Sequence, residues 1–222
     1  MEPRTSEDAF GAPALLDNDA NMMAVGAAAH LPPDALPLLY LHLSHGIGAG
    51  LVTEAGSVHR GADGSAGDVD HLPVGGDGRT PCTCGKRGCV GAVAGLRGVV
   101  ARLGLAYQDG LVALIGELAS RVAAADPRTL AVLEDAAERL GLLAAALVDV
   151  VNPRTLVVGG PLPQLSDAVL SGIRTVVRRE AMPVATRRLA VLPAPAGPDL
   201  ALQGAARAAS DGLLRLAATG HL

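Results

Sequence analysis

The chain has 222 residues, of which half are hydrophobic, and its formal net charge is −4 at pH 7. This length suits one large domain or two small ones, with enough aliphatic side chains for a sizeable core. The small acidic charge and the lack of a basic stripe argue against direct nucleic-acid binding by this chain. No apolar run reaches the roughly 18 residues that a membrane span needs.

Residues 1–9 are polar, and we expect them to be disordered and not to form a signal peptide. Residues 10–16 are predicted to form a turn that enters a short strand. The segment 17–21, Asp-Asn-Asp-Ala-Asn, follows and directly precedes an apolar, helix-like run. Either it caps the helix with one polar side chain, or it lies at a strand end in a cleft, where a carboxylate can act as a general base.

A glycine-rich segment follows a predicted strand over residues 36–43. Its glycines at 46, 48 and 50 alternate with apolar residues, which predicts a turn between two antiparallel strands. Glycine exposes backbone N–H groups that can bind a phosphate or a sugar. Close packing of a neighbouring element is an equally common reason for glycine in a strand.

All three cysteines lie within eight residues, at Cys82, Cys84 and Cys89, and His71 lies eleven positions before the first of them. Three thiolates and one imidazole are the ligands of a tetrahedral structural zinc. A disulfide is a weaker interpretation because the cysteine count is odd. The alternative is a cysteine cluster without metal. Such a group of thiols, without other cysteines, fits a reducing cytoplasm.

The second half alternates predicted helices with short apolar strands, which indicates a mixed α/β architecture with a glycine-flanked cleft. Asp126 and Pro127 are predicted to begin a helix that ends near residue 151. Glycine at 204 is expected to allow close packing against the strand layer. The other helices are predicted over residues 90–105, 110–125, 161–181 and 199–217, and the strands over 155–160 and 189–193.

From Phe10 to about Ala209, the chain resembles the ROK family of repressors, open reading frames and sugar kinases, which have an actin-like, ribonuclease-H-like two-lobed fold. The segment from Asn18 to Asn21 is similar to the family's N-D-x-N motif. The resemblance implies that Asp19 is the base for a sugar hydroxyl and that Asn18 contacts the sugar.

Four further motifs carry the resemblance. Gly46 and Gly48 lie in a segment similar to the family's second phosphate loop, and Gly159-Gly160 is similar to its adenosine-side turn. Residues 67–71 resemble its G-E-x-G-H motif, which implies sugar contacts by Asp68 and His71. The segment 82–89 resembles its zinc signature, which implies a structural Zn²⁺ held by His71 and the three cysteines. ATP and Mg²⁺ are implied only if the chain is a kinase.

The chain also departs from the kinase pattern. Ser44-His45 replaces a Gly-Thr pair and is more similar to the family's actinobacterial transcriptional regulators. Asp68 is shorter than the family's glutamate, Gly91 replaces a second sugar-contacting glutamate, and Asp70 replaces a small residue. We expect a single domain over residues 1–222 that corresponds mainly to the C-terminal lobe, without the N-terminal lobe or a helix-turn-helix domain.

Three hypotheses follow from the resemblance. The first is a sugar-sensing, dimerising module of a transcriptional regulator in carbohydrate metabolism, without its own DNA-binding domain. The second is an ATP-dependent kinase of glucose or N-acetylhexosamine, present as a fragment. The third is a remnant that keeps only the fold and the zinc. We expect a cytoplasmic homodimer that binds a sugar or sugar phosphate and, on its own, does not catalyse phosphoryl transfer.

Overall fold

The computed structural model describes residues 11, 14, 16–75, 77–105, 110–196 and 199–218. The predicted disorder of residues 1–9 lies outside the described residues, as does most of the predicted short strand over residues 10–16. Within the described part of the chain, no helix has both the length and the apolar character that are needed to cross a membrane.

Four strands form one mixed sheet in the order β2-β1-β3-β4. Strand β1 pairs with β2 in antiparallel and with β3 in parallel orientation, and β3 pairs with β4 in parallel. The predicted hairpin and the mixed α/β architecture are therefore confirmed. The strands are β1 (Leu38–Leu43), β2 (Ile47–Val52), β3 (Thr155–Gly159) and β4 (Ala190–Pro193).

Helices cover both faces of the sheet, which explains why β1 and β3 are almost entirely apolar. Along β1, Leu38 and Tyr40 belong to one core cluster, and Leu39, Leu41 and Leu43 belong to a larger cluster on the other face. Helices α1 (Asp19–Ala28) and α9 (Leu200–Ala218) contribute to the smaller cluster. The larger cluster lies among α2 (Val90–Ala94), α3 (Leu96–Leu103), α4 (Gly110–Ala123), α5 (Pro127–Val151), α6 (Pro161–Leu165), α7 (Asp167–Glu180) and α8 (Pro183–Thr186).

Two of the predicted helices are each divided in two. The helix expected over residues 90–105 is interrupted at Gly95, where a side chain would lie 2.6 Å from the carbonyl oxygen of Gly91. The helix expected over residues 161–181 is interrupted at Ser166, which has extended backbone and caps α7 by accepting from the amide of Ala168. The predicted cap at Asp126 is confirmed, since its carboxylate accepts from the amide of Thr129 at 2.9 Å.

Glycines hold helix α1 close to its neighbours on two sides. A Cβ at Gly48 would lie 3.0 Å from the Cβ of Ala20, and one at Gly50 would lie 2.8 Å from the Cβ of Ala24. On the opposite side of α1, a Cβ at Gly204 would overlap the carbonyl oxygen of Met22. Close packing is therefore sufficient to explain the glycines of β2. The expectation that Gly204 packs against the strands is wrong, because it packs against α1.

We predict that Gly204→Ala lowers the free energy of unfolding by about 1–3 kcal/mol, because the backbone of α1 cannot move away without losing its contact with β2. Thermal unfolding of the whole chain measures the change, at about 2–4 °C per kcal/mol. The matched control is Gly212→Ala in the same helix, where a Cβ meets nothing within 4 Å. This control should be neutral or stabilising by up to about 1 kcal/mol. Equal melting temperatures for both variants would contradict the packing argument.

Candidate ligand cleft and metal centre

A cleft of about 540 Å³ opens where the N-terminus of α1, the β1–β2 turn and residues 65–70 meet. A cleft of this size accommodates a small polar ligand. Three carboxylates and two imidazoles are among its lining groups, and none of the lining residues is a lysine or an arginine. The lining residues are Asn18, Asp19, His42, Ser44, His45, Gly46, Ile47, Gly48, Ser65, Gly67, Asp68 and Asp70.

The segment 17–21 both caps helix α1 and contributes residues to the cleft. Asn18 is the N-cap, and its side chain accepts from the amide of Ala20 at 2.8 Å. Asp19 is the first residue of the helix and lines the cleft. Its position in the cleft leaves a carboxylate where a hydroxyl-bearing ligand can reach it.

Asp17 anchors this helix start, a role that the sequence did not reveal. Its carboxylate accepts from the side-chain amide of Asn21 at 2.7 Å and pairs with the guanidinium of Arg60 at 2.6 Å. Burial acts in the opposite direction, but the hydrogen bonds from Asn21 and Arg60 hold the pKa of Asp17 below its usual value. The carboxylate therefore stays ionised and connects α1 to the loop that follows β2.

His42 also lines the cleft, on the face of β1 that carries Tyr40. Burial lowers the pKa of His42, although the charge of Asp19 acts to raise it, so the imidazole is neutral at pH 7. Its Nδ1 atom is buried and has no hydrogen-bond partner among the described residues. The sequence pattern did not identify this residue, because one histidine in an apolar strand is typical of a core position.

Asp68 and Asp70 line the cleft from the segment that precedes the cysteine cluster. The Asp70 carboxylate accepts from the amide of Ile47 at 2.8 Å and from the guanidinium of Arg97 at 3.1 Å. It therefore joins the first residue of β2 to helix α3. The sequence marked Asp70 only as a departure from a motif, and the involvement of Arg97 carried no sequence signal.

The four glycines that the resemblance assigns to phosphate and nucleotide contacts are divided between two places. Gly46 and Gly48 line the cleft. Gly159 and Gly160 end β3 and are not among the lining residues, although Gly159 pairs with His42 across the sheet. A side chain at Gly159 would overlap the Tyr40 hydroxyl, and Gly160 has a φ of +98°. Packing and backbone conformation are thus sufficient reasons for glycine at both positions.

The four predicted metal ligands lie together. The Nδ1 atom of His71 and the three cysteine sulfurs all fall within 4.8 Å of one another. The Sγ of Cys82 lies 3.4 Å from this Nδ1, and the sulfurs of Cys84 and Cys89 are 3.6 Å apart. Tetrahedral zinc with Zn–S bonds of about 2.3 Å separates its ligands by roughly 3.8 Å. The spacing thus fits zinc and is too long for a disulfide.

The environments of the thiols differ. The backbone amide of Cys84 and further hydrogen bonds lower the pKa of the Cys82 thiol. Burial raises the pKa of the Cys89 thiol, and the neighbouring sulfurs add to this effect. A bound dication reverses that balance, because it stabilises the thiolate form of every ligand. The donor set therefore suits a metal ion better than an isolated group of thiols.

Backbone hydrogen bonds join the end of the cysteine cluster to the segment that carries Asp70. Gly85 and Gly88 have positive φ values of 87° and 69°, which permit the turns between the cysteines. The amide of Val90 donates to the carbonyl of Leu72 at 2.8 Å, and that of Gly91 donates to the carbonyl of Asp70 at 3.0 Å. His71, between these two carbonyl groups, is placed in the cluster and is not among the residues that line the cleft.

Comparisons with known proteins agree with this geometry. The chain is 32% identical to a glucokinase of Halalkalibacterium halodurans over 77% of its length and 56% of the glucokinase. It is 21% identical to the DNA-binding transcriptional repressor Mlc of Escherichia coli over 83% of its length and 47% of Mlc. The chain thus spans about half the length of these relatives.

A solved structure of a ROK family transcriptional regulator, a homologue of Escherichia coli Mlc, superposes with a TM-score of 0.75 and 25% identity. The superposition covers 90% of this chain and 52% of the regulator. The model of the ROK family matches residues 4–211, which is nearly the whole sequence. The α/β fold with its mixed sheet, the similarity to both repressors and sugar kinases, and this match show that the chain belongs to the ROK family.

Proposed function

We propose that this chain is the sugar-sensing module of a ROK transcriptional regulator and does not itself catalyse phosphoryl transfer. The observation that carries the proposal is the composition of the cleft, in which Asp19, Asp68 and Asp70 face a single space with no lysine or arginine among the lining residues. Carboxylates are strong acceptors for hydroxyl groups. A neutral, hydroxyl-rich ligand fits this cleft better than an anionic one.

The ligand is held from two sides. Asp19 and Asn18 approach it from the start of α1, while Asp68 and Asp70 approach it from the segment before the cysteine cluster. Neutral His42 offers one more hydrogen-bonding atom in the same space. Because α1 is fixed by Asp17 and by its glycine contacts, the Asp19 carboxylate is positioned before the ligand arrives, which lowers the entropic cost of binding.

The regulator is favoured over the kinase by the charge of the cleft. Phosphoryl transfer needs positive groups and metal ions that neutralise charge on the phosphoryl oxygens. The described lining residues provide three carboxylates and no cationic side chain that is permanently charged. The Ser44-His45 pair, which resembles the family's regulators, is consistent with this assignment.

We also propose that His71, Cys82, Cys84 and Cys89 hold one structural zinc ion. When bound, the metal supplies a covalent-like cross-link between the hairpin of the cysteines and residue 71. These ligands leave no open position for a substrate, as is usual for structural zinc sites. The four ligand residues would then hold Asp70 and helix α2 in fixed positions relative to each other.

We predict that the whole chain binds a neutral monosaccharide, detected by titration calorimetry with glucose, N-acetylglucosamine, N-acetylmannosamine and xylose. Asp19→Asn should weaken the affinity about 10- to 100-fold, because a hydrogen bond to a charged group contributes roughly 1.5–3 kcal/mol. The matched control is Asp63→Asn, which removes the same charge from an exposed position outside the cleft. Failure of every sugar to bind a folded chain would refute the sensor and favour the remnant.

A second prediction separates sensor from kinase. With ATP and Mg²⁺, a sugar that binds in the calorimeter should not be phosphorylated by this chain. The measurement is a coupled assay of ADP release, with Asp19→Asn as the control for contaminating kinases. Sugar-dependent turnover that disappears in Asp19→Asn would establish the kinase instead.

A third prediction concerns the metal. Elemental analysis should find about one zinc per chain, and Cys84→Ser should lose the metal and lower the melting temperature, because structural zinc contributes directly to folding free energy. Chelation of the wild type should reproduce the effect of the variant. The control is Thr83→Ser, which changes a neighbouring side chain outside the ligand set. A metal-free chain with an unchanged melting temperature would disprove the zinc assignment.

A further inference from the structure

A side chain at position 91 would occupy the same volume as the carboxylate of Asp70. Gly91 is buried in the first turn of α2, and a Cβ built on it would overlap the carboxylate of Asp70. A Cβ at Gly46, in contrast, would lie at an ordinary 3.6 Å from the same carboxylate. A side chain at residue 91 would therefore have to displace the carboxylate of residue 70.

The Asp70 carboxylate is fixed in that volume by two donors. One oxygen accepts from the amide of Ile47 at 2.8 Å, and the other accepts from Arg97 at 3.1 Å. The Asp70 side chain is only 13% exposed. A carboxylate so far removed from water needs such partners. The Nδ1 atom of His71 lies at 3.5 Å, too far for a strong hydrogen bond.

Part of the acceptor capacity of Asp70 remains available to a ligand. An ionised carboxylate has about four lone-pair sites, and the two close donors occupy two of them. The residue lines the cleft together with Asp19 and Asp68. Arg97 donates to the same carboxylate but is not a lining residue, whereas Asp70 is.

We propose that Asp70 is a specificity-determining ligand contact, and that Gly91 is its steric complement. The acid in the shared volume comes from position 70, and position 91 leaves that volume free because it carries no side chain. This inference rests on the proposed sugar binding and adds to it the residue that selects the ligand. The group recognised is a hydroxyl that donates to Asp70, and a ligand that lacks this hydroxyl is rejected.

The steric part is tested without any ligand, by thermal unfolding of the whole chain. Gly91→Ala should lower the melting temperature by several degrees, and the same change in an Asp70→Gly background should lower it by less than half as much. Equal losses in the two backgrounds would show that the positions do not share a volume, and would overturn the proposal.

The ligand part uses calorimetry with the sugar that binds the wild type. Asp70→Asn keeps the side-chain volume, and it should weaken binding about 10- to 100-fold, whereas Asp63→Asn should not. One monodeoxy analogue should bind the wild type more weakly than the sugar does, by this same factor. The analogue and the sugar should bind Asp70→Asn with almost equal affinity. The double variant Asp70→Gly with Gly91→Glu should bind at least tenfold more tightly than Asp70→Gly alone.

The outcomes distinguish this inference from the function on which it rests. Sugar binding that is weakened by Asp19→Asn but unchanged by Asp70→Asn would keep the sensor and reduce Asp70 to a packing residue, which overturns the inference. A wild type that binds no sugar, yet shows the steric coupling of positions 70 and 91, would overturn both the sensor and the ligand contact. Loss of affinity at Asp70 with recovery in the double variant supports the proposal.

Discussion

The close approach of helix α1 to strand β2 is the constraint on which the cleft depends. Gly48 and Gly50 have no side chains that would keep the helix and the strand apart. Gly204 allows α9 to pack closely against the other side of the helix. Interiors packed to this density transmit small displacements rather than absorb them. The position of Asp19 at the helix start is therefore set by residues that never meet the ligand, and a larger side chain at any of these glycines would move it.

Residues 70–72 are held in place by a different kind of interaction. The segment that carries Asp70 is joined to α2 by backbone hydrogen bonds on either side of His71. The cysteine cluster includes that same residue, so the cluster and Asp70 share one short stretch of chain. A structural ion stabilises the parts that it joins and does not need to approach the ligand. The proposed zinc ion would therefore stabilise the segment of Asp70 from outside the cleft.

Local sequence signals were sufficient for most of the fold, but they missed the helix breaks at Gly95 and Ser166 and the contact of Gly204 with α1. The cap at Asp126 and the ends of helix α5 depend on adjacent residues, and both were predictable. The interruption at Gly95 depends on a contact with the preceding helix, which residue spacing does not encode. For the site, the clustering of His71 with the three cysteines was recognisable from spacing alone. The steric overlap between Asp70 and a side chain at residue 91 was visible only as two separate departures, because their shared volume exists only in the folded chain.

The charge of the cleft connects these elements to function. A site that binds substrate and transition state equally strongly is filled at a lower substrate concentration. Such binding does not accelerate the chemical step. Asp19, Asp68 and Asp70 provide acceptors for hydroxyl groups that a sugar carries before any chemistry begins. Among the lining residues that the structure describes, there is no lysine or arginine that could stabilise charge on a phosphoryl group during its transfer. The proposed sensor therefore needs from this cleft only that it binds a sugar.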